Sequence, residues 1–334
     1  MSKRRATITA VGHWVPERKL TNADLEKMVD TTDEWIRTRT GILERRILDN
    51  GATSDLAVGA LRVMLERRGI GATDLDLIIV ATISPDMFFP STACLVQEKI
   101  GAKNAWGFDL SAACSGFPFA LVTGMQFIEN GTCNKVAVVG ADKMSSITDY
   151  SDRNNCILFG DAGGAVLLEP AANDGEGILD HILRCDGAGE KYLYMRGGGS
   201  LNPPTHETVD KKMHYIFQDG KSVFKVAVVK MADISAEIME RNGLTGKDVD
   251  WLVPHQANLR IIDATAKRMG LDPSKVMINI EKYGNTTAAT IPLCLSEWWE
   301  TGKLRKGHTI VMASFGAGYT WGAVLMKWTA EDGR

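Results

Sequence analysis

The sequence predicts an α/β fold built twice on one plan, and three observations carry that expectation. The chain has 334 residues, of which 45% are hydrophobic and 24% charged, enough to bury one large core or two coupled ones. Its apolar runs "LIIVA", "VAVVGA" and "TIVMAS" do not alternate with polar residues, as expected of strands covered on both faces. Finally, the same order of elements occurs in both halves of the chain.

The repeat can be followed segment by segment. "RGIGATDLDLIIVATIS" (68–84) lies over "NGLTGKDVDWLVPHQAN" (242–258), pairing Gly69 with Gly243, Asp74 with Asp248 and Asp76 with Asp250. At the same offset "NKVAVVGA" (134–141) meets "HTIVMASF" (308–315), and further on "GAVLLE" (164–169) echoes "GAVLMK" (322–327). Between these anchors, "CSGFPFALVTGMQFIENG" aligns with "NTTAATIPLCLSEWWETG" through the helix-ending "ENG" and "ETG", which sets Cys114 opposite Asn285. Each half reads as helix, strand, helix, strand. The punctuation "AANDGEG" places the boundary between residues 1–174 and 175–334.

The formal net charge of -3 gives no global reason to expect nucleic acid as a partner, although a local basic face remains open. "MSKRRATITAVGHWVPERKL" lacks the apolar segment of a secretory signal, and no apolar run reaches the roughly 20 residues that span a bilayer. A cytoplasmic protein without membrane association is expected. The six cysteines, Cys94, Cys114, Cys133, Cys156, Cys185 and Cys294, form no CxxC pair. They read as separate thiols rather than as a zinc site or a disulfide framework.

Three residues stand where strands end and helices begin. Cys114 follows "AWGFDL" and opens an apolar-periodic segment, where helix N–H groups and the dipole favour a thiolate nucleophile. The alternative is a small residue filling a turn. His255 closes the strand "DWLV", and carboxyl ends of strands collect catalytic groups, although hydrogen-bonded structural histidines occur there too. Asn285 in "KYGNTTAAT" reads as an N-cap or as an amide donor to a developing oxyanion. The glycine-rich "SFGAGYTWG" (314–322) reads as a hairpin, or as a loop whose backbone N–H groups approach a reacting carbonyl.

These stretches, together with "TNADLEKMVDTTDEWIRTRTGI", "SAACSGF", "FGDAGGAVLL" and "PHQANLRI", resemble the β-ketoacyl-acyl-carrier-protein synthase III family of the thiolase superfamily over essentially the whole chain. The resemblance implies a thiolase-like five-layered αβαβα fold, a homodimer, and a Cys-His-Asn site at Cys114, His255 and Asn285. It implies an acyltransferase that begins fatty acid biosynthesis by joining an acyl-CoA primer to malonyl-acyl-carrier protein, with no metal or redox cofactor. It also implies that Trp35, Arg39 and Arg153 meet the CoA nucleotide and that Gly220, Phe224 and Asn258 line the pantetheine tunnel. Thr31 and Glu34 read as a capping box that sets Trp35 and Arg39 at i,i+4 on one helical face. Arg260 and Lys267 share a helix face suited to an acidic carrier protein, which Arg268 and Lys225 extend; ordinary solvated charge is the alternative.

Two departures from the family pattern bear on the site. "GAGY" stands where the family commonly has GGGF, and a positive φ at the middle position would strain Ala317. "SPDMFFPST" is bulky, with Phe89 at the position that reaches a partner's acyl pocket, so a short primer is expected. Other readings are a polyketide- or quinolone-type ketosynthase, a 3-hydroxy-3-methylglutaryl-CoA synthase, and a non-catalytic carrier-binding subunit. The carrier-facing "ANLRIIDATAKR" weighs against the second. Cys114, His255 and Asn285 together weigh against the third.

Overall fold

Adjacent side chains of Leu77–Ala81 serve two different cores, which is why the run is apolar throughout. Leu77, Ile79 and Ala81 pack inward with Phe117, Leu121, Ile291 and Met312, whereas Ile78 and Val80 pack outward with Leu56, Leu61 and Ala93. Such a strand needs helices on both faces of its sheet.

The computed structural model describes residues 4–331. Its principal elements begin with β1 (Ala6–Trp14), α1 (Asp33–Thr40), α2 (Thr53–Arg68), β2 (Leu77–Ala81), α3 (Thr92–Ile100), β3 (Trp106–Leu110), α4 (Gly116–Glu129), β4 (Val136–Asp142) and β5 (Ala162–Pro170). There follow β6 (Gly177–Cys185), α5 (Gly220–Arg241), β7 (Trp251–Pro254), α6 (Leu259–Arg268), α7 (Thr290–Glu300), β8 (Thr309–Gly316) and β9 (Thr320–Lys327).

One sheet runs β1-β5-β4-β2-β3 and the other β6-β9-β8-β7, so the second repeats the first up to its last strand. β2 is parallel to β3 and β4, as β7 is to β8. β5 is antiparallel to its neighbours, as β9 is to its own. The counterpart of β3 shrinks to a single parallel bridge between Leu252 and Val276. Helices α2 and α3 cover the outer face of the first sheet, and α5 and α6 that of the second. Between the sheets lie α4 and α7, whose Phe117, Leu121, Ile291 and Leu295 share one core with both. The result is the two duplicated α/β halves that the sequence predicts, in the five-layered αβαβα arrangement that the family resemblance implies.

Local detail departs from expectation in two places. The turns that lead into α4 and α7 each open on a residue of positive φ, Ala113 at 48° and Thr287 at 51°, and these two stand at the same chain offset as Asp74 and Asp248. The counterpart of Cys114 is therefore Ala288, and Asn285 lies three residues earlier. The helix ends do correspond, at Gly131 and Gly302, both of positive φ. The alignment slips because α7 has 11 residues against 14 in α4. At α1 the cap is Thr32, whose hydroxyl accepts the Trp35 N–H, while the Thr31 hydroxyl is buried without a partner.

Candidate active site

Cys114 sits in a 3-10 turn, Ala113–Ser115, between the end of β3 and the start of α4. The β8–β9 hairpin clamps this turn. Thr320 Oγ1 donates to the Ala112 carbonyl at 2.8 Å, and Ser115 Oγ donates to the Thr320 carbonyl at 3.0 Å. Gly316 lies so close that a Cβ there would stand 2.7 Å from the Cys114 nitrogen and 2.9 Å from that of Ser115. Only glycine brings the hairpin this near the Cys114 turn.

In the hairpin the positive φ falls on Gly318, at 136°, and Ala317 is outside the left-handed region. The strain expected at Ala317 is absent, because the residue that needs freedom is the following glycine.

Asn285 is held by its own backbone: its N–H donates to the Leu158 carbonyl at 2.9 Å, and its carbonyl accepts the Gly160 N–H at 3.1 Å. Its side chain is orientated by the turn that follows. The Thr287 N–H donates to Asn285 Oδ1 at 2.9 Å, which leaves Nδ2 as the end available to donate, and the amide lies close enough to Cys114 to favour its thiolate form. Burial, with the nearby Asp142 as second cause, pushes that thiol up to about 12, while its backbone bond and the Asn285 amide pull it back. A helix end by itself favours a thiolate. Desolvation outweighs it, and the group rests as a thiol.

His255 follows β7, its N–H donating to the Ala313 carbonyl at 2.8 Å. His255 as a whole is 2% exposed, and burial pushes its pKa down to about 3, so it is neutral at physiological pH. Nδ1 lies 2.8 Å from Thr290 Oγ1. The structure thus sets the Asn285 amide near Cys114 and ties His255 to the turn that follows Asn285 through Thr290, whose hydroxyl also lies 3.0 Å from the Thr287 carbonyl.

Asp142, Thr287 and Thr290 were not singled out in the sequence. Asp142 Oδ1 accepts from Thr82 Oγ1 at 2.9 Å and from the Ile83 N–H at 2.8 Å, as well as from both the N–H and hydroxyl of Ser84. Its Oδ2 accepts from Thr287 Oγ1. Burial raises the Asp142 carboxyl and these bonds lower it, with burial dominant. A carboxylate closing the buried run "VAVVGAD" was the available signal.

A cavity of ≈ 350 Å³ is lined by Cys114, Thr287 and Ala317 together with apolar Ile83, Met144, Ile147 and Phe159. His255 and Asn285 do not line it. Phe89 does not either; it is 85% exposed beside Phe88 at 74%. Trp35 is flanked by two guanidinium groups, Arg153 at 4.9 Å and Arg39 at 5.8 Å from its ring centre. Arg153 also pairs with Asp30 at 3.6 Å.

Asn258 caps α6, accepting the Arg260 N–H, and its Nδ2 donates to the Arg39 carbonyl at 2.9 Å, so its amide fastens α6 to α1. Phe224 lies beneath the Arg260 guanidinium at 4.5 Å. Gly220 opens α5 with free space beside it. Arg260, Lys267 and Lys225 are exposed. Arg268 is exposed too, but pairs with Asp233 at 3.3 Å and Glu240 at 4.0 Å, so part of its charge is already answered.

Two family descriptions match the chain: 3-oxoacyl-[acyl-carrier-protein] synthase III over residues 108–187, and the C-terminal part of the same family over residues 239–328. The chain is 62% identical over 327 residues to a beta-ketoacyl-[acyl-carrier-protein] synthase III of Chlorobaculum tepidum, covering 97% of this chain and 99% of that one. Among solved structures, the 3-oxoacyl-[acyl-carrier-protein] synthase III of Aquifex aeolicus is 42% identical with a TM-score of 0.90, covering 97% of this chain and all of that one. The priming β-ketosynthase of the R1128 polyketide pathway is 34% identical, also at 0.90, with 99% and 98% covered.

Proposed function

The chain belongs to the 3-oxoacyl-[acyl-carrier-protein] synthase III family, and from that premise we propose that Cys114, His255 and Asn285 perform its chemistry. The enzyme is an acyltransferase that condenses an acyl-CoA primer with malonyl-acyl-carrier protein to begin fatty acid biosynthesis. The observation that carries the residue assignment is the orientation of Asn285, whose Oδ1 is occupied by the Thr287 N–H so that Nδ2 is left to donate, in an amide near enough to Cys114 to lower its thiol pKa.

In the first half-reaction the sulfur of Cys114 attacks the primer thioester. Backbone N–H groups of the clamped turn hold the tetrahedral oxyanion, and CoA leaves as the thiol. In the second, malonyl-acyl-carrier protein enters. Its carboxylate departs as carbon dioxide, and the electron pair left behind is held as an enolate whose oxygen accepts hydrogen bonds from His255 and Asn285. The enolate carbon attacks the acyl-Cys114 carbonyl and Cys114 is expelled, leaving a β-ketoacyl-acyl-carrier protein. Decarboxylation itself supplies the electron pair for the new carbon–carbon bond, so the reading invokes neither a metal nor a redox cofactor.

Trp35 between Arg39 and Arg153 suits an adenine ring with its phosphates. Gly220, Phe224 and Asn258 belong in this reading to the pantetheine path, and Arg260, Lys267 and Lys225 to the carrier dock, with Arg268 a lesser member. Residues 1–174 bring the nucleophile, residues 175–334 the histidine and asparagine.

A homodimer is part of the same reading. β3 is an edge strand of the first sheet, only half-buried, with Trp106 47% exposed, and an unpaired apolar edge invites pairing with a second copy. Phe89 would then enter the partner's acyl pocket. Sedimentation of the parent and of Trp106→Glu at equal concentration tests it, since a monomeric, fully active parent excludes a shared pocket. Among the described residues no helix is long and apolar enough to cross a membrane, and a cytoplasmic setting fits a soluble carrier substrate.

The assignment of the nucleophile is tested by mass mapping after incubation with acyl-CoAs of graded length. Acylation of Cys114, absent in Cys114→Ala, is expected. Acylation of another cysteine refutes it. The same profile separates the fatty-acid reading from a polyketide- or quinolone-type primer.

A further inference from the structure

Whether His255 is able to donate a hydrogen bond at all is decided by a hydroxyl behind it. A neutral imidazole carries one proton on one of two nitrogens, and the bond made at one nitrogen decides what the other offers. With the proton on Nδ1, Nε2 presents a lone pair, which repels a thioester or enolate oxygen. With the proton on Nε2, the ring becomes the donor that decarboxylation requires.

Nδ1 of His255 has one hydrogen-bond partner among the described residues, Thr290 Oγ1 at 2.8 Å. That hydroxyl has a single proton and two acceptors within reach, His255 Nδ1 and the Thr287 carbonyl at 3.0 Å. The carbonyl does not depend on it, because the backbone N–H of Thr290 already donates there to close the turn. The ring nitrogen has no second donor. Turning the hydroxyl to the ring therefore satisfies both acceptors, whereas turning it to the carbonyl doubles one bond and forces the ring into the tautomer that is useless to the substrate.

We infer that Thr290 is a positioning residue for condensation: by donating to Nδ1 it selects the Nε2–H tautomer of His255. The inference rests on His255 being a donor in the proposed mechanism. Its geometry is fixed by the same turn that orientates Asn285. Thr287 hydrogen-bonds Asp142 through its side chain and Asn285 through its N–H, and Thr290 begins α7 directly after that turn. One anchored turn thus aims both donors, an amide by its oxygen and an imidazole by its proton.

Thr290→Val keeps the shape and removes the hydroxyl, and Thr290→Ser restores the hydroxyl alone. Nitrogen NMR of protein labelled in its histidines, with His255→Ala to assign the signal, reports which ring nitrogen is protonated. The parent and Thr290→Ser are expected to show Nε2–H, and Thr290→Val a mixed or reversed population. In kinetics, Thr290→Val should keep single-turnover acylation by acetyl-CoA. Its kcat for condensation should fall about tenfold or more, with a smaller change in KM for malonyl-acyl-carrier protein, and serine should recover it. An Nδ1–H tautomer in the parent, an unchanged tautomer in Thr290→Val, or equal loss of both half-reactions without rescue by serine overturns the inference. If His255→Ala condenses normally, the donor role of His255 fails instead, and the NMR result still decides what Thr290 does.

Discussion

The Thr287 N–H decides which end of the Asn285 amide is left to donate. It donates to Oδ1 at 2.9 Å, leaving Nδ2 as the donor end of an amide that lies near Cys114. An amide misplaced by rotation would offer an acceptor where an enolate oxygen forms. Asn285→Asp keeps the acceptor for Thr287 but replaces the donor by negative charge, so it should retain the fold and lose condensation by about 10²-fold or more. Acylation should slow as well, because a second carboxylate beside Cys114 opposes the thiolate. Asn285→Ala and His255→Ala should still accept an acetyl group on Cys114 while losing condensation to a similar degree. Single-turnover acylation measured beside release of labelled carbon dioxide checks this. Acylation abolished with decarboxylation intact would reverse the assigned roles.

The pH dependence of acylation follows from two burial-driven shifts of opposite sign. With the Cys114 thiol pushed up to about 12, the thiolate fraction grows about tenfold per pH unit over the whole working range. With the His255 imidazolium pushed down to about 3, that ring is neutral above pH 5 and adds no inflection near 6.5. The logarithm of the single-turnover acylation rate at saturating acyl-CoA should therefore climb with pH from 6 to 9 without a plateau. His255→Ala should keep the same slope. A plateau beginning near 6.5 that His255→Ala removes would make the histidine a titrating base in this step.

The fold was legible because strand runs and helix ends are written locally, in apolar continuity and in glycine. The nucleophile turn was less so. Matching the helix ends set Cys114 against Asn285, and a helix one turn shorter moved the true counterpart to Ala288, a difference that φ at Ala113 and Thr287 reveals and residue type does not. Asp142 and Thr290 act through partners distant in sequence, Thr287 and His255 respectively, so no spacing rule points to them. Arg268 read as a free cation because Asp233 lies on another helix. The raised thiol pKa of Cys114 is equally invisible to the sequence, since burial is a property of the packed whole.

The proposed carrier dock divides its cations by what they already touch. Lys267 and Arg260 are exposed, and Arg260 lies over Phe224 rather than beside a carboxylate, whereas Arg268 faces Asp233 and Glu240. Replacing Arg260 and Lys267 together by Glu should raise KM for malonyl-acyl-carrier protein several-fold or more, by an amount that shrinks as salt rises, and should spare acylation by acyl-CoA. Arg268→Ala should have the smaller effect. Steady-state kinetics at two ionic strengths decide it, and equal loss with both substrates would indicate misfolding rather than lost docking.

The glycine-rich hairpin contains one position that tolerates a side chain and one that does not, and the two are adjacent. Ala317, which lines the cavity, already carries a side chain without entering the left-handed region. Gly316 faces the backbone of the nucleophile turn, where an added Cβ would meet the Cys114 nitrogen at 2.7 Å and the Ser115 nitrogen at 2.9 Å. Backbone cannot swing aside as a flexible side chain does, so Gly316→Ala must push the turn and the hairpin apart. That would strain the Thr320–Ala112 and Ser115–Thr320 bonds that clamp them. Displacing the sulfur and its oxyanion donors by a fraction of an ångström to an ångström should cost acylation about 10²-fold. CoA binding at Trp35, followed by quenching of tryptophan emission, should persist, because α1 lies outside the clamp. Ala317→Gly should remain close to the parent rate. If Gly316→Ala acylates normally, the hairpin does not set the position of the nucleophile, and the clamp is a packing contact only.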